Sequence, residues 1–178
     1  MDEHIIHIIW SGPHSLGCVR KMTKAKDKGL YQVYAHHPVY GRNLVYIGKT
    51  DGSTFGQRIA VHRWETGSEN DPERVEYYVG RLAGETTPSI DKWTQEIRLA
   101  EALLINSHGP AYNSSYITDL LSKDKYGHVR VLNWGAVRSL HREVSGLMWS
   151  PEAERFKVYN VYGDTAPQSI VVAPVLTG

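Results

Sequence analysis

With 20 Lys+Arg against 19 Asp+Glu in 178 residues the chain is almost neutral, so a polyanion site has to come from local arrangement and not from global charge. The single cysteine, Cys18, excludes an internal disulfide framework and a cysteine-based zinc cluster, and no apolar run approaches the roughly 20 residues of a membrane span. The length suits one compact domain, and the acidic start "MDEHIIHIIW" is too short in its apolar part for a signal peptide; together these fit a soluble, cytoplasmic protein.

In chain order, "HIIHIIW" (His4 to Trp10) reads as an opening strand closed by "SGP" turn chemistry. "VRKMTKAKDK" (Val19 to Lys28) gathers positive charge, which is most often a solvated loop and otherwise a polyanion site. "GLYQVY" and "LVYIGKT" are rich in aromatic and β-branched residues and predict a hairpin. Alternation puts Tyr31, Val33 and Ala35 on one face of the first strand, and sets Tyr46 and Gly48 opposite Ile47 and Lys49 in the second.

"DGSTFGQRIAVHRWETG" predicts about three helical turns, with Arg58 and His62 one turn apart on one face. "PERVEYYVGRL" reads equally as helix or strand. "DKWTQEIRLAEALLINSHG" is a helix from Asp91 to a Gly109-Pro110 stop, followed by strand "HVRVLNW", helix "SLHREVSGLMW" and strand "RFKVYNVY". The mixture predicts an α+β fold, a small mainly antiparallel sheet flanked by helices, with an α/β C-terminal extension.

One position breaks the helical pattern. Trp93, Ile97, Ala100, Leu104 and Ile105 share an arc of roughly 140°, and Glu101 falls inside it. A buried carboxylate costs several kcal/mol unless paired, protonated or bound to a cation, so Glu101 is either half of a structural ion pair or a metal ligand.

These residues resemble the GIY-YIG nuclease domain. "GLY" (Gly29 to Tyr31) stands for the first triplet with Leu30 in place of Ile, and "YIG" (Tyr46 to Gly48) is the second unchanged; Arg58, His62, Glu101 in "AEALLI" and Asn113 in "AYN" follow in the family's order. The resemblance divides the chain into an N-terminal strand and basic loop (1–28), a nuclease core (29–113) and a C-terminal extension packed on it (114–178).

It implies a metal-dependent DNA endonuclease. Glu101 would be the single protein ligand of Mg²⁺, with Mn²⁺ as substitute. Tyr31, its pKa lowered by nearby cations, would take a proton from the attacking water, oriented by Tyr46. Arg58 would bind the scissile phosphate, with His62 assisting at the leaving group. Gly48 would let a phosphate approach the backbone, and Gly29 and Asn113 would be structural, Asn113 fixing the helix end. Lys49 would reach a neighbouring phosphate if the strand ends or bends at Gly48, and Arg63 and Arg138, the latter at a strand-to-helix junction, would add phosphate contacts. DNA is the expected partner; near-neutral charge leaves recognition to a homodimer, to shape or to another protein. The alternatives are a nucleic-acid-binding module without turnover and a structural α+β protein whose tyrosines are packing.

Overall fold

The computed structural model describes residues 3–37, 39–61, 74–118 and 121–146. Its elements are β1 (His4–His14), α1 (Leu16–Arg20), β2 (Gly29–His37), β3 (Gly41–Thr50), α2 (Phe55–Val61), β4 (Glu76–Ala83), α3 (Ile90–His108), α4 (Lys123–Tyr126), β5 (Val129–Gly135) and β6 (Glu143–Ser145). The strands form one sheet in the order β3-β2-β4-β1-β5-β6.

This corrects the expected small, mainly antiparallel sheet flanked by helices: a mixed, curled six-stranded half-barrel dominates, and helices are few. The reason is β1. It is a central strand, antiparallel to β4 (Trp10 opposite Gly80) and parallel to β5 (Ile8 opposite Asn133), and so joins the tyrosine hairpin to the C-terminal strands. The undecided segment around "VEYYVGRL" is β4; its Tyr-Tyr-Val run pairs with β2.

The helix expected at "SLHREVSGLMW" is not formed where it is described. Residues Glu143–Ser145 are β6, and Val144 is buried opposite Val131. Asn133 holds the approach to that strand: its backbone N–H donates to Arg142 O (2.8 Å), its side-chain amide donates to His141 O (2.8 Å), and its Oδ1 accepts from Trp10 Nε1 (2.9 Å). Tertiary pairing thus overrides local helix propensity. The expected strand "RFKVYNVY" lies outside the described residues.

Two apolar layers sandwich the hairpin. Leu30, Tyr34 and Ile47 face α3, where Ile97, Ala100, Leu104 and Ile105 are buried together with Ile6 and Ile8 of β1. Tyr31, Val33 and Val45 face the other way, under Val19 of α1 and Phe55 and Ile59 of α2. Helix α3 starts on a Ser89 cap and ends at Gly109 in the left-handed region (φ 53°). Leu99 and Leu103 are buried too, so α3 is covered on two sides. Among the described residues no helix is long and apolar enough to cross a membrane.

Candidate active site

The site is built on β3, the edge strand. Its outer side is held by the segment after α3: Tyr112 N–H donates to Val45 O (2.8 Å), while Asn113 accepts from Ile47 N–H and donates to Ile47 O, both at 2.9 Å. Asn113 therefore stands in for a neighbouring strand at the centre of "YIG" and closes an edge that would otherwise be open. That is its structural role here, in place of the helix-end contact the sequence suggested.

On the inner side, Gly29 N–H donates to Thr50 Oγ1 (2.8 Å), so the first residue of one triplet is tied to the end of the strand carrying the other. Gly29 has φ +145°, and a Cβ there would stand 2.1 Å from Gly80 O; only glycine fits.

Antiparallel register sets Tyr31 opposite Gly48 and Val33 opposite Tyr46, so both phenols share the face beneath α2. Their ring centroids are 5.9 Å apart. Gly48 makes this possible. A Cβ at that position would lie 2.6 Å from Tyr46 Cε1 and 2.7 Å from Tyr31 Oη, so the space expected to admit a phosphate is filled by the two phenols.

The Tyr31 hydroxyl is buried and makes no hydrogen bond among the described residues, although Arg58 and Tyr46 are close enough to act on it. Burial raises its pKa far above that of a free phenol, Tyr46 adds to the rise, and Arg58 offsets only part of it. The lowered pKa expected from nearby cations is thus corrected: one guanidinium does not outweigh full desolvation.

Glu101 approaches from α3, on the opposite face of the sheet. It is buried, and Lys49 Nζ donates to its Oε2 at 2.6 Å. Lys49 follows Gly48 and therefore points toward α3, as alternation requires. Burial raises the Glu101 pKa, Lys49 pulls it down by hydrogen bond and charge, Asp51 raises it, and Arg58 lowers it. Comparisons with family models, curated proteins and solved structures found no match to this chain.

Tyr31, Tyr46 and Gly48 therefore share the face beneath α2, with Arg58 close enough to act on Tyr31, while Lys49 and Glu101 meet on the opposite face toward α3, so the sheet separates the phenols from the acid; His62 and Arg63 lie outside the described residues. Arg138 is committed elsewhere. Its guanidinium lies 4.6 Å from the Tyr34 ring centroid and 3.4 Å from Glu76, and donates to Tyr78 Oη at 3.3 Å. Thr50 and Asp51 were not singled out from sequence; both are ordinary turn and strand-end residues, and no pattern distinguishes them. Among the described residues no cluster of His, Cys, Asp and Glu offers three ligands to a metal.

The ion pair makes a prediction. A carboxylate with a raised folded pKa favours folding most below its unfolded value, and that stability is lost as pH rises toward the folded value. Lys49→Met removes the opposing charge and widens this window. Urea denaturation should show a loss of about 3 kcal/mol at the higher of two pH values, such as pH 8, where ionising Glu101 leaves a buried charge unpaired, and a smaller loss at the lower, such as pH 5, because the raised pKa favours the protonated form as pH falls. Equal losses at both pH values would mean the pair carries no charge-dependent stability.

Proposed function

We propose that this chain is a divalent-metal-dependent DNA endonuclease that hydrolyses phosphodiester bonds with residues similar to those of GIY-YIG nucleases. The observation that supports this reading is the packing of Tyr31 and Tyr46 against Gly48, with ring centroids 5.9 Å apart, on a strand whose next residue, Lys49, holds the buried Glu101 at 2.6 Å. Phosphodiester hydrolysis needs a positioned water, cationic charge at the phosphorus oxygens and help for the departing 3′ oxygen.

Glu101 uses only Oε2 toward Lys49, and its other oxygen has no hydrogen bond among the described residues. One available carboxylate oxygen fits Mg²⁺, which keeps several waters and takes few protein ligands, and Mn²⁺ would substitute. When bound, the ion supplies charge at the phosphate and acidifies water. Arg58 binds the scissile phosphate through its planar fork. Tyr31, a neutral phenol with a buried hydroxyl, would position the neighbouring Arg58 and not touch the water itself, and Tyr46 packs against the Tyr31 ring. Lys49 holds Glu101; because β3 continues in register past Gly48 to Thr50, the expected contact of Lys49 with a neighbouring phosphate is not part of this reading. His62 keeps the expected part at the leaving oxygen.

The test is supercoiled plasmid with Mg²⁺: nicked circles that DNA ligase reseals are expected, and none in chelator. A second reading, a nucleic-acid-binding module without turnover, is favoured by the 2.6 Å Lys49–Glu101 pair, which already neutralises the carboxylate. Duplex binding without nicking in either Mg²⁺ or Mn²⁺ would select that reading.

A further inference from the structure

We infer that the loop of residues 20–28 is a preformed binding surface for the phosphate backbone of duplex DNA, flanking the proposed catalytic residues. The inference rests on the nucleic-acid part of the reading above and extends it to a surface with no assigned role.

The charge is local and strong. Arg20, Lys21, Lys24, Lys26 and Lys28 share this stretch with one acid, Asp27, giving the segment +4 in a chain of total +1 and leaving −3 for all other residues. Asp27 does not neutralise them. It is buried, its Oδ1 accepts from Arg81 Nη2 at 2.7 Å and its Oδ2 accepts from Lys24 N–H at 3.0 Å. Arg20, Lys21, Lys24 and Lys26 are exposed, and none of the five cations forms an ion pair among the described residues. Solvated charges on a mobile loop would give the same count, but this backbone is pinned. Phe55 N–H donates to Asp27 O (2.8 Å), Gly56 N–H to Met22 O (2.9 Å), Asp27 N–H to Lys24 O (2.8 Å), and Arg81 Nε to Lys26 O (3.1 Å). Gly56 allows that fit, since a Cβ would lie 2.7 Å from Arg20 O.

Position completes the case. The loop docks on the first turn of α2, the helix that carries Arg58, and runs directly into β2. Lys28 is three strand residues from Tyr31, about 10 Å, or roughly three base-pair steps at 3.4 Å of duplex axis each. A membrane surface has the same charge preference but needs an apolar anchor. The loop supplies none: its one large apolar side chain, Met22, packs against the core beneath α2, and no exposed large hydrophobic residue falls within 20–28.

Binding of a labelled duplex of about 20 base pairs, measured by anisotropy in chelator over a range of salt, tests this without requiring cleavage. The variant Lys21→Ala/Lys24→Ala/Lys26→Ala should bind on the order of 10²-fold more weakly near 0.1 M salt, with a log–log salt slope shallower by about 3. The control Lys92→Ala/Lys125→Ala/Arg142→Ala removes equal charge away from the loop and should bind as wild type does. Unchanged binding by the loop variant, or equal weakening by the control, overturns the inference. So does lysine-dependent capture by phosphatidylserine vesicles that exceeds capture of the duplex. Failure to nick plasmid together with loop-dependent binding would discard the nuclease reading alone; nicking by a loop variant that binds normally would discard the inference alone.

Discussion

Glu101→Gln should reduce Mg²⁺-dependent nicking by about 10³-fold or more while leaving duplex affinity in chelator unchanged. Glutamine preserves the volume in a buried helical position and removes only the charge. The partner left behind is tolerable: the Lys49 side chain is 28% exposed, against 10% for Glu101, so its ammonium can turn to water without an unpaired buried cation remaining. Stability should therefore change little, and the lost rate can be assigned to chemistry. Nicking by Glu101→Gln at the wild-type rate would remove this carboxylate from the mechanism.

Gly48→Ala should act through geometry instead of charge. The new methyl would meet Tyr46 Cε1 at 2.6 Å and both Cζ and Oη of Tyr31 at 2.7 Å. Tyr31 is fully buried between Val33, Val79 and the α2 side chains, so its ring has no free direction in which to swing. Overpacking of this kind costs about 1–3 kcal/mol, and a displacement of about 1 Å at the reacting group lowers rate by about 10²-fold. Urea denaturation and single-turnover nicking report the two effects separately. A Gly48→Ala protein as stable and as active as wild type would show that the contact between the phenols and this glycine has no part in the site.

Much of the site's layout follows from local patterns. Period-two alternation grouped Tyr46 with Gly48 and turned Lys49 to the other face, and helical periodicity put Glu101 among the buried positions of α3, but the register that sets Tyr31 opposite Gly48 was not legible within either strand. The partner of that buried acid was beyond such patterns, because Lys49 and Glu101 meet only through the packing of α3 on β3. Asn113 was legible as a residue of interest, but its two bonds to Ile47 depend on where the chain returns after α3. The sheet was misjudged for a similar reason: the segments of β1 and β5 read as strands, yet nothing local says that one inserts beside β4 and pairs in parallel with the other. At β6, long-range pairing with β5 outweighed helix-forming residues. The Tyr31 pKa was misjudged because sequence shows the neighbouring cation and not the degree of burial.

The most direct measurement preloads wild-type protein with an end-labelled duplex in chelator and then adds excess Mg²⁺, following the first turnover. Conversion of the bound duplex to a product with a 5′-phosphate, absent from an equally loaded Glu101→Gln complex, is the predicted result. A wild-type complex that stays intact after metal is added, or two complexes that convert at the same rate, would contradict the assignment of these side chains to phosphodiester hydrolysis.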